Sequence, residues 1–148
     1  SQEIKLVCVG QKFKYYKKVQ KFIQSQKLTQ RVSFLNIADT NTLAALYRKS
    51  RALIYPSIDE GFGIPIIEAM YSKTPVITSN KAIFKEIGGE NSYYFEEANV
   101  ESLIEKISEV WTDSKKRDDK IETNFQYVQK FNENIHVQKI IEIYKRLI

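Results

Sequence analysis

Five short apolar runs, near residues 4–9, 32–35, 52–55, 75–78 and 92–95, alternate with segments long enough for helices, and this alternation constrains the fold more than any other feature of the chain. Strands separated in this way form a parallel sheet with helices over both faces, so an α/β fold is expected. Beyond the last strand, helical patterns run near 100–111, 115–130 and 134–146. In the final one Val137, Ile140, Ile141, Tyr144 and Leu147 recur at helical spacing as one apolar stripe. The polar segment Thr112 to Asp119 is the nearest thing to a break, and a connection between helices explains it. At 148 residues, with 43% apolar and 12% aromatic content, the chain is long and apolar enough to build one substantial core.

Several function classes lack their residues. Cys8 is the only cysteine, which excludes an internal disulfide and a cysteine-based metal site; in the middle of an apolar strand it reads as a small core residue. His136 is the only histidine, expected at the surface near the terminal amphipathic helix, so a catalytic triad or a zinc site has too few candidates. No apolar run approaches the length of a membrane span. The formal net charge is +5, with Lys12, Lys14, Lys17, Lys18, Lys21 and Lys27 crowding the first helical region. Lys14, Lys17, Lys18 and Lys21 share one helical face while Val19, Phe22 and Ile23 share another, so a solvated outer face is expected and no nucleic acid partner. Attraction to anionic lipid headgroups is the second reading of that face.

The residues richest in chemistry are Glu60-Gly61-Phe62-Gly63-Ile64-Pro65-Ile66-Ile67-Glu68. Ala52-Leu53-Ile54-Tyr55 suits a buried parallel strand, and Pro56 ends it because proline has no ladder donor. Pro65 is expected as the first residue of the next helix, where no amide hydrogen is needed. The free amides of that helix end then cluster near Gly63 and Ile64, carry partial positive charge and accept phosphate. Glu68 is expected in the first helical turn, pointing to the same crevice, and Glu60 arrives from the loop side. A phosphate cradle flanked by two carboxylate acceptors suits a diphosphate between two polyols. Taken singly, Glu60 and Glu68 read as an ordinary loop carboxylate and a helix-start carboxylate; the glycines, Pro65 and flanking strands favour the binding site. Gly10, after the first strand, is either a turn glycine or a point of close phosphate or base approach, and Tyr55 and Phe62 read by themselves as packing residues.

Glu60 and Glu68 around Gly-Phe-Gly-Ile-Pro resemble the E-x7-E signature of group 1 (family 4) retaining glycosyltransferases, which have two Rossmann domains in the GT-B arrangement. The resemblance continues through Ala69-Met70, Thr74-Pro75-Val76-Ile77-Thr78-Ser79 and Glu86-Ile87-Gly88-Gly89, and upstream through Leu46-Tyr47 and Ala52 to Ser57. Phe84-Lys85 stands where Leu-Pro is commoner, and Lys73-Thr74 where a small residue and glycine are usual. The resemblance implies a Rossmann-like parallel five-stranded sheet and places residues 1–148 as the C-terminal, nucleotide-sugar donor-binding domain of a larger two-domain enzyme. By the same resemblance a strand and loop supplying an Arg and a Lys to the diphosphate, and the N-terminal acceptor-binding domain, are expected ahead of this chain; the isolated fragment is then expected to be inactive. If the sheet closes without that strand, the five strands take the order 2-1-3-4-5; otherwise an open edge is expected.

Carried over residue by residue, the resemblance makes Glu60 the catalytic-site carboxylate, contacting donor sugar hydroxyls. Gly61, Phe62, Gly63, Ile64 and Glu68 bind the donor, Glu68 through ribose hydroxyls. Gly10 and Ile37, the latter in Asn36-Ile37-Ala38, border the nucleotide. The implied substrate is a nucleotide sugar such as GDP-mannose or a UDP-hexose, with no further cofactor and no metal. The implied activity is retaining transfer to a glycan or lipid-linked acceptor in bacterial polysaccharide biosynthesis, in the cytoplasm or peripherally at the inner face of the membrane. The rival readings are a nucleotide-sugar epimerase of the same architecture and a non-catalytic nucleotide-binding module. A receiver domain needs aspartates at strand ends, where this chain has Gly10, Asn36, Pro56 and Ser79, and a flavin module needs a Ser/Thr-rich phosphate loop after the first strand.

Overall fold

The computed structural model describes residues 4–11, 14–37, 39–58 and 60–147, with the side chains of 133–136, 139 and 147 also outside the description. Lys12, Ala38 and the side chains of His136 and Leu147, named above, therefore lie outside the described residues. The chain divides into two compact units, Ser1–Leu43 and Ala44–Ile148. All five expected strands form and all pair in parallel, distributed over a two-stranded and a three-stranded sheet rather than one continuous five-stranded sheet. The order within each, β1-β2 and β3-β4-β5, is the order the sequence reading requires.

In the first unit β1 (Leu6–Val9) pairs with β2 (Val32–Leu35) in the register Leu6 to Val32 through Val9 to Leu35. Helix α1 (Tyr16–Ser25) connects them, and the Tyr16 ring meets Phe34 edge-on at 5.0 Å. Ile23 is buried, but Val19 and Phe22, expected on the same inward face, are 42% and 61% exposed. Two strands about 4.8 Å apart offer a platform no wider than the helix itself, so only the centre of the apolar stripe is covered. Lys14, Lys17, Lys18 and Lys21 are exposed, as their spacing implies. Cys8, expected as a small core residue, is only half-buried and belongs to neither core cluster; partial burial still pushes its thiol pKa up.

The second unit is organised around β4 (Val76–Ser79), which lies between β3 (Leu53–Tyr55) and β5 (Tyr93–Phe95) and is buried at every position. Its alternation sends Val76 to one face and Ile77 to the other. Val76 joins a core of Ile66, Ala69, Met70, Phe84, Ile87 and Val128, drawn from α3 (Ile64–Tyr71), α4 (Ala82–Gly88) and α6 (Ser114–Val128). Ile77 packs with Tyr93, Phe95 and Val110, the last from α5 (Val100–Thr112). A strand covered on both faces has no water-facing side to keep polar, which is why its apolar run does not alternate. Its two polar side chains are satisfied: Thr78 Oγ1 donates to the Tyr55 carbonyl at 2.9 Å and Ser79 Oγ to the Ser57 carbonyl at 2.9 Å.

The remaining helices are α2 (Thr40–Lys49), where the first unit ends, and α7 (Glu133–Leu147), reached through a single 3-10 turn at Gln129–Phe131. The expected break after Thr112 is one residue, Asp113, whose carboxylate caps α6 by accepting from the Lys116 amide at 2.9 Å. Asn99 caps α5 in the same way, through the Ser102 amide at 2.9 Å. The apolar stripe of α7 forms as read, yet Val137, Ile140, Ile141 and Tyr144 are exposed. Because Phe84 is fully buried at the junction of α4 with β3 and meets the Tyr55 ring edge-on at 5.7 Å, Phe84→Ala is expected to cost about 3–5 kcal/mol of unfolding free energy. Urea denaturation checks this; a loss below about 1 kcal/mol would contradict the packing described.

Candidate functional site

The short loop at the carboxyl end of β3 is held from beneath. Ser79 ties the loop's first carbonyl, that of Ser57, to β4, and the Lys81 ammonium donates to the Ile58 carbonyl while pairing with Glu97 at 3.4 Å. The loop then reaches Gly63, which is buried and adopts φ 94°, ψ 44°. That left-handed backbone, more than crowding, makes glycine necessary: an added Cβ would meet nothing closer than Ile66 Cδ1 at 3.4 Å. Gly61, by contrast, has open space around it.

Helix α3 begins at Ile64, so Pro65 is its second residue and not its first. The effect on hydrogen bonding is the one expected, since Pro65 needs no partner for an amide it lacks and the Ile66 amide is taken by the Gly63 carbonyl at 3.0 Å. No side chain among the described residues caps this end, where the α3 dipole is positive. Glu68 is the fifth helical residue and stands one turn beyond Ile64 on the same face, not in the first turn as read from the sequence. Ile64 and Phe62 are exposed at the mouth, and Phe62 leans edge-on against Phe131 with ring centres 6.0 Å apart.

Both carboxylates of the motif have hydroxyl partners. The Tyr47 hydroxyl, from α2, donates to Glu68 Oε2 at 3.1 Å. Ser57 Oγ donates to Glu60 Oε1 at 3.2 Å. Burial, followed by hydrogen bonding to Glu60 and its negative charge, pushes the Tyr55 phenol up to about 12. Burial, then the Glu68 charge and the hydrogen bond to it, pushes Tyr47 further still, with Tyr55 adding to the effect. An ionised phenol beside a carboxylate would place two negative charges together, so both tyrosines remain donors.

Glu60, Gly61, Phe62, Gly63, Ile64 and Glu68 thus come together on one loop and helix start of the second unit. Gly10 and Ile37 belong to the first unit. There the Gly10 amide donates to the Leu35 carbonyl at 3.0 Å, and Gly10 borders an apolar cleft of about 420 Å³ with Cys8, Tyr16 and Phe34. Ile37 is half-buried. Among the described residues, no group of three His, Cys, Asp or Glu side chains is placed to hold a metal ion. Tyr47 as a partner of Glu68 was not legible in the sequence, because 21 residues and a change of element separate the two; Tyr55 was read only as a packing residue.

Parallel strands flanked by helices, with a glycine-framed helix start beside two carboxylates, make up a Rossmann-like α/β fold of the GT-B glycosyltransferase type. Residues 1–127 match the glycosyl transferases group 1 family, and the chain belongs to it. It is 39% identical over 113 residues to the O-antigen chain mannosyltransferase RfbU of Salmonella typhimurium, covering 74% of this chain and 32% of that protein. Over 76 residues, 51% of this chain and 9% of the other, it is 49% identical to the serotype-specific mannosyltransferase WbdA of Escherichia coli. The fold is also that of Anabaena HepE, solved in complex with UDP and glucose, at a TM-score of 0.85 and 20% identity, over 99% of this chain and 41% of that one. The chain therefore spans about a third or less of the length of these two mannosyltransferases.

The raised phenols carry a prediction. The folded chain holds the Tyr47 and Tyr55 protons to higher pH than the unfolded chain, where a tyrosine titrates near 10. Their contribution to stability is thus complete below about pH 10 and is lost as pH rises through about 12. Phenolate absorbance should show these tyrosines ionising late in the native chain and normally in denaturant, with Tyr55→Phe removing part of the late phase. An unchanged native titration in that variant would contradict the assignment.

Proposed function

We propose that this chain is the donor-binding part of a retaining hexosyltransferase that takes a nucleoside diphosphate hexose. The observation that carries the reading is the uncapped start of α3 at Gly63 and Ile64, with Glu68 one turn beyond it and Glu60 on the facing loop. The diphosphate would lie against the helix end, the ribose hydroxyls would donate to Glu68, and the hexose hydroxyls would donate to Glu60. As the bond to the anomeric carbon breaks, negative charge grows on the departing diphosphate, where the α3 dipole and backbone amides oppose it. In this reading the acceptor approaches the same face, the leaving phosphate takes its proton and configuration is retained. Protein groups neutralise the phosphates, with no resident cofactor or metal.

GDP-mannose is the proposed donor, because the two relatives compared above are described as mannosyltransferases; a UDP-hexose is the competitor. The proposed process is assembly of a bacterial surface polysaccharide on a glycan or lipid-linked acceptor, which a second, acceptor-binding domain would hold.

Calorimetric titration with GDP, UDP and their sugars tests the site. Glu68→Ala is expected to weaken binding of the preferred nucleotide about 10- to 100-fold, the loss of hydrogen bonds to a charged group. Equal binding by the variant would remove Glu68 from the site.

Proximity to a lipid-linked acceptor also gives α1 a proposed role. Its exposed Val19 and Phe22 lie on the same short helix as exposed lysines, the combination that favours an anionic bilayer surface. Sedimentation with vesicles containing anionic lipid should show binding that salt weakens. Binding that is absent, or indifferent to salt, would count against this role.

A further inference from the structure

We propose that Tyr47 is a positioning residue for the donor site, fixing the Glu68 carboxylate so that its second oxygen faces the donor ribose. The inference rests on the reading of Glu68 as the ribose acceptor. Glu68 has a long side chain with several rotatable bonds, and on a helix surface it would sample several rotamers, only some of them useful for binding. The Tyr47 hydroxyl holds Oε2 at 3.1 Å, which leaves Oε1 to accept from a ligand.

Tyr47 is itself well anchored. It packs against the core cluster that contains Val76 of β4, its carbonyl accepts from Thr74 Oγ1 at 2.7 Å, and the Ser50 amide donates to the same carbonyl at 2.9 Å. Thr74 is buried and precedes β4, so the hydroxyl that aims Glu68 is referred back to the central strand of the unit. The arrangement is repeated in looser form at the other carboxylate, where the Ser57 hydroxyl reaches the exposed Glu60 at 3.2 Å. The phenol stays protonated throughout the neutral range, so the hydrogen bond runs from tyrosine to carboxylate under working conditions. A carboxylate held in advance loses less freedom when the ribose arrives, and that saving appears as affinity and as selectivity for ribose.

The test compares the wild-type chain with Tyr47→Phe, Glu68→Ala and the double variant by calorimetry, using GDP, UDP and their 2′-deoxy forms. Tyr47→Phe keeps the ring and deletes only the hydroxyl, so its melting temperature should stay close to wild type; Glu68→Gln, which preserves an acceptor for the phenol, serves as a second probe. The expected result is about a tenfold loss of nucleotide affinity in Tyr47→Phe, with a matching fall in the preference for ribose over deoxyribose, and no further loss in the double variant beyond Glu68→Ala. A purely structural tyrosine would not move the ribose preference. Wild-type affinity and ribose preference in Tyr47→Phe, alongside their loss in Glu68→Ala, would overturn the proposal and leave the donor-site reading standing. Unchanged binding in Glu68→Ala would overturn that reading, and the proposal with it.

Discussion

Burial of β4 on both faces is the constraint on which the second unit depends. Val76 and Ile77 point to opposite cores, so α3, α4 and α6 must cover one side and α5 the other. The polar positions of the strand then become structural devices. Thr78 and Ser79, excluded from water, satisfy their hydroxyls on carbonyls of Tyr55 and Ser57 beside them. An unpaired buried hydroxyl is costly, so these bonds also help fix where the neighbouring strand ends and the following loop begins. The position of that loop is consequently set by the interior of the sheet and not by the loop alone.

Charge around the loop follows a second rule. Two carboxylates lie near a positive helix end, and among the described residues each accepts from a hydroxyl and not from a cation: Glu68 from Tyr47 and Glu60 from Ser57. A lysine or arginine in those positions would compete with a ligand for the carboxylate by charge. A hydroxyl donor orients the group through one oxygen and leaves its charge unneutralised. That distinction matters for the proposed nucleotide-sugar donor, which would present several sugar and ribose hydroxyls to the protein.

The fold was largely legible because its signals are local. The five strand runs and the three last helices follow from apolar runs and helical periodicity, and each appears within a few residues of its expected span. Differences arise where a neighbour decides the outcome. Asp113 compresses an eight-residue break into one because its carboxylate caps α6. Val19 and Phe22 are exposed because the sheet beneath α1 has only two strands. Glu68 moves to the second turn because α3 starts at Ile64 and proline tolerates the second helical position as well as the first.

The sequence by itself determined the class of fold, the place of the glycine turn and the identity of the two carboxylates, since these depend on residues close together in the chain and on backbone conformations that few residue types adopt. Gly63 shows this plainly: its positive φ is a local requirement that glycine alone meets without strain. Only the tertiary structure decided which groups hold those carboxylates. Tyr47 meets Glu68 because α2 and α3 pack on the same core, and a hydrogen bond of 3.1 Å between residues 21 positions apart has no periodicity to announce it. Distances of that kind are set by how whole elements pack, and packing is a property of the assembled unit rather than of any window of sequence.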